Sequence, residues 1–258
     1  MVVGDVHGDI SFASAVCRAA ESLDITNIFQ VGDFGIWDHT DDGVYFLDKL
    51  NENSSLRGVN WYVTLGNHEN YDRVENYQAL TTQTFIPVRD HITILGNKTA
   101  VFDMDGVKFA SVGGAYSIDK YARIEGKSWW RNEEIKFSDI LMLQNLIDIT
   151  GRVDILFTHD SPTTLPEWDG FIKDDPYSQG HRKMLDRVGE IARPAFWFHG
   201  HYHRAVQYQF GDAHVVGLGA NPEAMPWGMP KHQHNSVAVV TVDESGISWD
   251  YNHEWAYV

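Results

Sequence analysis

Aspartate, asparagine and histidine recur in this 258-residue chain where short apolar runs give way to glycine-containing turns. Asp5 and His7 stand two residues apart in Gly4-Asp5-Val6-His7-Gly8, and His201 and His203 repeat that spacing in Gly200-His201-Tyr202-His203. Between them come Gly32-Asp33, Gly66-Asn67-His68-Glu69 and His159 at the end of another apolar run. In an extended segment residues i and i+2 point the same way, so each spaced pair could reach one ion. Carboxylate and imidazole together suit first-row divalent cations better than calcium, which prefers oxygen alone. The set contains no thiolate, which argues against a structural zinc knuckle. Asp5, His7, Asp33, Asn67, His159, His201 and His203 are therefore candidate metal ligands. Singly, each could be a turn former or a core histidine. Their ordered recurrence at strand ends is what points to a metal centre.

The elements that must position these residues are legible in the first third. Met1 to Val3, Asn27 to Val31 and Trp61 to Leu65 are apolar runs, each followed by one of the Gly-Asp or Gly-Asn turns and then a helical stretch. Phe12, Val16, Ala19, Ala20 and Leu23 mark one face of the first helix; Val44 to Leu50 and Tyr71 to Leu80 supply the next two. The spacing of the turns is close to the ~30 residues of a βαβ unit. Three parallel strands then place all three turns at one carboxyl edge, where open α/β sheets bind ligands.

Further along, Ile92 to Leu95, Thr99 to Asp103 and Val107 to Val112 read as strands, with Asp105-Gly106 as a hairpin signal. Tyr116 to Arg131 has no clean period and is expected to be a functional or lid loop. A helix over Ser138 to Ile149, capped by Ser138, precedes a strand from Asp154 to Thr158 that ends at His159. Gly180 to Ile191 reads as a helix and Ala195 to Phe198 as a strand. Four more strands follow: Ala205 to Phe210, His214 to Val216, Val237 to Val242 and Ile247 to Tyr251. The expected fold is α/β, a four-layer αββα sandwich of two mixed sheets flanked by helices, in one domain over 1–258. The first strand is short, so a few native residues are expected to precede it.

Charge narrows the partners. Thirty-six acids against 20 bases give a net charge of −16, and no Lys/Arg run offers the phosphate track that long nucleic acid requires. A small phosphate ester is not excluded, because exposed charges beyond roughly 8 Å are largely screened at physiological salt. Bound cations would dominate the field at the site itself. No stretch reaches the ~20 apolar residues of a membrane span. The single Cys17 rules out an intrachain disulfide, which fits a reducing compartment, and a cytoplasmic location is expected.

Taken in order, Gly4-Asp5-Val6-His7-Gly8, Gly32-Asp33, Gly66-Asn67-His68-Glu69, His159 and Gly200-His201-Tyr202-His203 resemble the motif set of the calcineurin-like metallophosphoesterases. The resemblance runs from Asp5 to His203. It implies one metal held by Asp5, His7 and His203, a second by Asn67, His159 and His201, and Asp33 between them. Such ions lie roughly 3.5–4 Å apart. Manganese or iron is expected, with zinc the third choice. The chemistry implied is in-line attack on phosphorus by a water that the two metals share and acidify. Asp33, Asn67 and His68 would form the catalytic set. His68 is the candidate general acid for the leaving alkoxide, and Glu69 either orients it or is simply an acid at a helix start.

Within that family, the protein Ser/Thr phosphatase branch resembles Gly66-Asn67-His68-Glu69 but carries an Asp-Arg-Gly near its second motif. Here Asp33 is followed by Phe34-Gly35-Ile36-Trp37-Asp38, without arginine. Gly113-Gly114-Ala115-Tyr116-Ser117 and Lys127-Ser128-Trp129-Trp130 resemble bacterial and phage homologues. The expected substrate is a small phosphodiester, with 2′,3′-cyclic nucleotides first. A protein phosphatase, a nuclease and a non-catalytic scaffold are the rivals. Arg123, Lys127 and Trp129 are candidate substrate contacts. His39, His91, His181, His199, His214, His232, His234 and His253 are expected to be surface or core residues.

Overall fold

A computed structural model describes residues 1–81, 84–167, 175–225 and 234–251. His232 and His253 lie outside those residues. In chain order the elements are β1 (Val2–Val3), α1 (Ile10–Ser22), β2 (Asn27–Val31), α2 (Asp41–Arg57), β3 (Asn60–Thr64), α3 (Tyr71–Ala79), β4 (Phe85–Arg89) and β5 (Ile92–Leu95). There follow β6 (Thr99–Met104), β7 (Val107–Val112), α4 (Phe137–Thr150), β8 (Ile155–Thr158), α5 (Pro176–Ala192) and β9 (Phe196–His199). The last four strands are β10 (Val206–Phe210), β11 (Ala213–Gly217), β12 (Val237–Asp243) and β13 (Gly246–Tyr251).

Seven strands form one sheet in the order β13-β12-β1-β2-β3-β5-β4, and six form a second in the order β10-β11-β9-β8-β7-β6. Each has a parallel centre with antiparallel edges: β1, β2, β3 and β5 in the first, β7, β8, β9 and β11 in the second. Parallel strands buried on both faces read as continuous apolar runs, as β8 (Ile155, Leu156, Phe157) does.

Three separate cores define the layers. One lies between the first sheet and α1 to α3, built on Val16, Phe46, Leu50, Trp61 and Val63. The second fills the gap between the sheets, where the rings of Phe29, Phe109 and Phe157 stack nearly parallel with centroids 5.0–5.8 Å apart. The third packs α4 and α5, through Leu143, Ile147, Leu185 and Val188, against the outer face of the second sheet. The result is the αββα sandwich that the strand-helix order predicts.

Local chemistry sets the helix starts. Asp9, Thr40 and Asn70 cap α1, α2 and α3 by accepting main-chain N–H groups of the first turn. The fourth helix departs from expectation. It begins at Phe137, one residue before Ser138, because the Asp139 carboxylate accepts the Lys136 N–H and fixes the first turn from inside. Leu23, expected on the buried face of α1, lies just past its end and is exposed. Strand β4 is absent from the sequence expectation, since Pro87 interrupts the run; a proline is tolerated there because β4 is an edge strand.

Candidate metal centre

Strand ends from both sheets meet in one place. Asp5 follows β1, Asp33 follows β2, Asn67 follows β3, His159 follows β8, and His201 and His203 follow β9. Two groups of ligand atoms result, Asp5 with His7 and His203, and Asp33 with His159 and His201, each group lying within 4.8 Å of one another. In the first, His203 Nε2 is 3.1 Å from both Asp5 Oδ2 and His7 Nε2. In the second, His159 Nε2 is 3.3 Å from Asp33 Oδ2 and 3.0 Å from Asn67 Oδ1. Asp33 Oδ2 also stands 4.0 Å from His7 Nε2, so this one oxygen faces both groups.

The main chain reaches this arrangement by conformations that side chains rarely tolerate. His7, Asp33, His201 and His203 have φ of 49°, 55°, 69° and 50°. Left-handed backbone costs roughly 1–2 kcal/mol per residue, and such strain persists where a site demands it. It also corrects an expectation. His201 and His203 are not extended, so the i, i+2 rule fails for them, and they join different groups. His203 joins Asp5 and His7, and His201 joins Asp33 and His159.

Hydrogen bonds fix the tautomers. The Nδ1 of His159 meets the Val31 carbonyl at 2.8 Å and that of His203 meets the Ala224 carbonyl at 2.8 Å. Carbonyls only accept, so both rings carry a proton on Nδ1, and Nε2 is the atom turned inward toward the carboxylates. Asn67 is oriented in the same way: its amide nitrogen donates to Ser117 Oγ at 2.9 Å and its oxygen faces His159. Gly32 has φ of +99°, and a Cβ there would lie 2.2 Å from His159 Nδ1, so the turn beneath this ring admits only glycine.

The converging atoms are acceptors that call for positive charge. Burial opposes charging of His159, yet Asp33 and then Asp5 push its imidazole up to about 10. Burial likewise opposes the ionised form of Asp33, and the neighbouring His159 and His68 still hold it well below the usual carboxylate range. Burial takes His201 the other way, down to about 4, and so keeps it neutral. Imidazole nitrogens, two buried carboxylates and an amide oxygen make a donor set that fits a pair of divalent cations, whose binding would displace the proton of His159.

Residues 1–205 match the family model described as calcineurin-like phosphoesterase. The chain belongs to this family. Its members are metal-dependent hydrolases of phosphate esters, and the two ligand groups of this phosphoesterase agree with a dimetal centre. No curated protein sequence matches it. Among solved structures it is similar to a protein from Thermus thermophilus, with a TM-score of 0.57 and 12% identity, covering 97% of this chain and 96% of that one. A dimetal phosphatase from Danio rerio gives 0.56 and 13%, covering 85% and 86%. GAP50, the anchor in the inner membrane complex of Plasmodium, gives 0.59 and 15%, covering 97% and 82%. At these identities the likeness is one of fold.

Other predicted residues of this phosphoesterase fall variously. His68 borders both groups, with its Nε2 3.9 Å from Asp33 Oδ2 and its ring centroid 5.3 Å from that of His7. Arg123, on the irregular segment after Ser117, meets it: Arg123 Nη2 is 2.9 Å from His68 Nε2, and Asp119 grips the guanidinium from behind at 2.8 Å. Lys127 is exposed, without an ion pair or side-chain hydrogen bond among the described residues. Trp129 is half-buried beneath Lys120, while Trp130 is core.

Glu69 neither orients the His68 ring nor sits within α3. Its buried carboxylate accepts the N–H groups of Phe34, Gly35 and Gly66, stitching the Asp33 turn to the Asn67 turn. Among the histidines read as structural, His199 bonds Tyr208 and the Gly200 carbonyl, His39 bonds Asn70, and His91 bonds Asn60. Ser117, which holds Asn67, and Asp160, which ties Tyr202 to His181, are supporting residues the motifs do not reveal. Only the Gly-Gly-Ala-Tyr-Ser stretch hinted at the first.

Proposed function

We propose that this phosphoesterase hydrolyses small phosphodiesters, with 2′,3′-cyclic nucleotides the first substrates to test, in the cytosol. The observation that carries the two-cation reading is the position of Asp33 Oδ2, facing His159 at 3.3 Å and His7 at 4.0 Å. Asp5, His7 and His203 would hold one ion, Asn67, His159 and His201 the other, with Asp33 shared. Manganese or iron is favoured over zinc. When bound, the pair supplies an acidified water and positive charge against the phosphoryl oxygens.

The chain's own groups do the rest. Asp33 Oδ1 accepts the His68 N–H at 2.9 Å, which holds the His68 backbone against the Asp33 carboxylate. His68 would protonate the ester oxygen as its bond to phosphorus breaks. Arg123 lies against both ring nitrogens of His68, Nη2 2.9 Å from Nε2 and Nη1 3.3 Å from Nδ1, so the guanidinium covers the edge of the ring from which His68 would act. A phosphoryl group would compete with His68 for the same guanidinium. Arg123 thus offers from a downstream loop the guanidinium that the Phe34-Gly35 turn lacks.

The deciding experiment is a panel on manganese-loaded protein: cyclic nucleotides, aryl monoesters and diesters, a phosphopeptide and single-stranded DNA. Fastest turnover of a cyclic or aryl diester supports the reading. Preference for the phosphopeptide or the DNA would replace it with one of the rivals, and inertness on every ester would revive a scaffold role.

A further inference from the structure

The Asp5, His7 and His203 group is closed by a segment beyond the 1–205 span of the family match. Ala220 pairs in parallel with Asp5. The next residue, Asn221, is buried and makes five hydrogen bonds around that group, one of them from the Ala224 N–H to its own carbonyl at 3.1 Å. Its N–H donates to the Asp5 carbonyl at 2.8 Å, and its side-chain amide donates to the Val6 carbonyl at 2.8 Å. Its Oδ1 accepts the N–H groups of Glu223 at 3.0 Å and Ala224 at 2.9 Å. That last pair folds 221–224 into a turn, and the turn presents the Ala224 carbonyl to His203 Nδ1. The approach is close: a Cβ on Gly4 would fall 1.9 Å from the Gly219 carbonyl oxygen.

We propose that Asn221 is a positioning residue for the first ion. It holds the main chain on both sides of Val6, which aims Asp5 and His7. Through the turn it also holds the His203 ring with Nε2 turned inward. Asp33, His159 and His201 make no hydrogen bond to this segment among the described residues, so the effect is selective for one ion of the two. The inference rests on the reading that the two groups hold cations.

The test is manganese stoichiometry of the full chain, measured by elemental analysis after dialysis at graded free Mn²⁺. Asn221→Ala removes every side-chain contact; Asn221→Asp keeps the turn acceptor and removes the donor to Val6. Second-sphere partners of this kind are worth roughly 10–100-fold in metal affinity. Both variants should therefore bind one ion as wild type does and the other at least tenfold more weakly, with a cooperative melting transition of the metal-free protein retained. His7→Ala is the control for the site itself, and two tight ions in that variant would remove the cation reading instead. If His7→Ala loses an ion while both Asn221 variants keep two at wild-type affinity, the positioning role is refuted. It is refuted equally if both variants lose their cooperative metal-free transition, since Asn221 would then serve the fold.

Discussion

Glu69 is the residue whose removal separates two structural accounts by magnitude. Its carboxylate is fully buried and accepts N–H groups from Phe34 at 2.6 Å, Gly35 at 3.3 Å and Gly66. Glu69→Ala abandons all three donors in a dry site, at roughly 1–3 kcal/mol each. Set against this is relief of a buried charge. Burial, followed by repulsion from Asp33, raises the carboxyl from 4.5 to about 7, so its ionised form costs of order 3 kcal/mol at neutral pH. The balance is a net loss of about 3 kcal/mol. An acid serving only the α3 dipole would be worth roughly 0.3–1 kcal/mol.

Urea unfolding of the metal-free protein at pH 7.5 measures the difference. With a slope of about 3 kcal/mol per molar urea, the midpoint should fall by about 1 M. A raised carboxyl pKa stabilises the folded state below 4.5, and that contribution fades as pH rises through about 7, because the folded chain then binds more protons than the unfolded one. The deficit of Glu69→Ala should therefore be larger at pH 5 than at pH 7.5. A midpoint shift under ~0.3 M, or a deficit that shrinks on acidification, would show that the stitch between the two turns carries no weight.

His68→Ala should slow esters with poor leaving groups by roughly 10²–10⁴ while costing nitrophenyl esters much less; equal losses would end its assignment as general acid. Arg123→Ala should lower kcat/KM at least tenfold, the worth of one charge-assisted hydrogen bond at about 1.5–3 kcal/mol, and unchanged kinetics would place Arg123 off the substrate. Burial, against the pull of Asp139, lowers Lys98 from 10.5 to about 8. The unfolded chain thus holds that proton up to 10.5 while the folded one releases it near 8, so stability should rise with pH across that window. Lys98→Met should flatten the rise, and parallel wild-type and variant curves would contradict it.

What the sequence disclosed follows from what it must specify by side chain. A metal ligand is a choice of residue type at one position, so Asp5, His7, Asp33, Asn67, His159, His201 and His203 stand out at their strand ends. The central strands show themselves through apolar runs long enough to be buried on both faces. Strand β4 does not, because Pro87 and an edge position leave it half exposed. How His201 and His203 part to different groups was equally hidden from spacing alone, since the left-handed turns that separate them are tertiary strain rather than propensity. Arg123 was legible only as a basic residue in an aperiodic loop, and its contact with His68 depends on the fold of Tyr116 to Arg131. Asn221 left no mark at all, because its bonds run to main-chain atoms.

The acidity of the chain and its attraction to phosphate are reconciled at the same few atoms. Without a cation, Asp33 and Asp5 stay charged in a buried site beside His159, raised to about 10, and His203, so protons supply the positive charge the fold has left out. Left-handed backbone at four candidate ligands, roughly 1–2 kcal/mol apiece, is a further cost that the surrounding fold bears in bringing those acceptors together. A divalent pair answers the deficit with four positive charges against two carboxylates. Such a surplus would draw an anionic ester toward His68 and Arg123, and exposed charges of the −16 chain farther than roughly 8 Å away are largely screened.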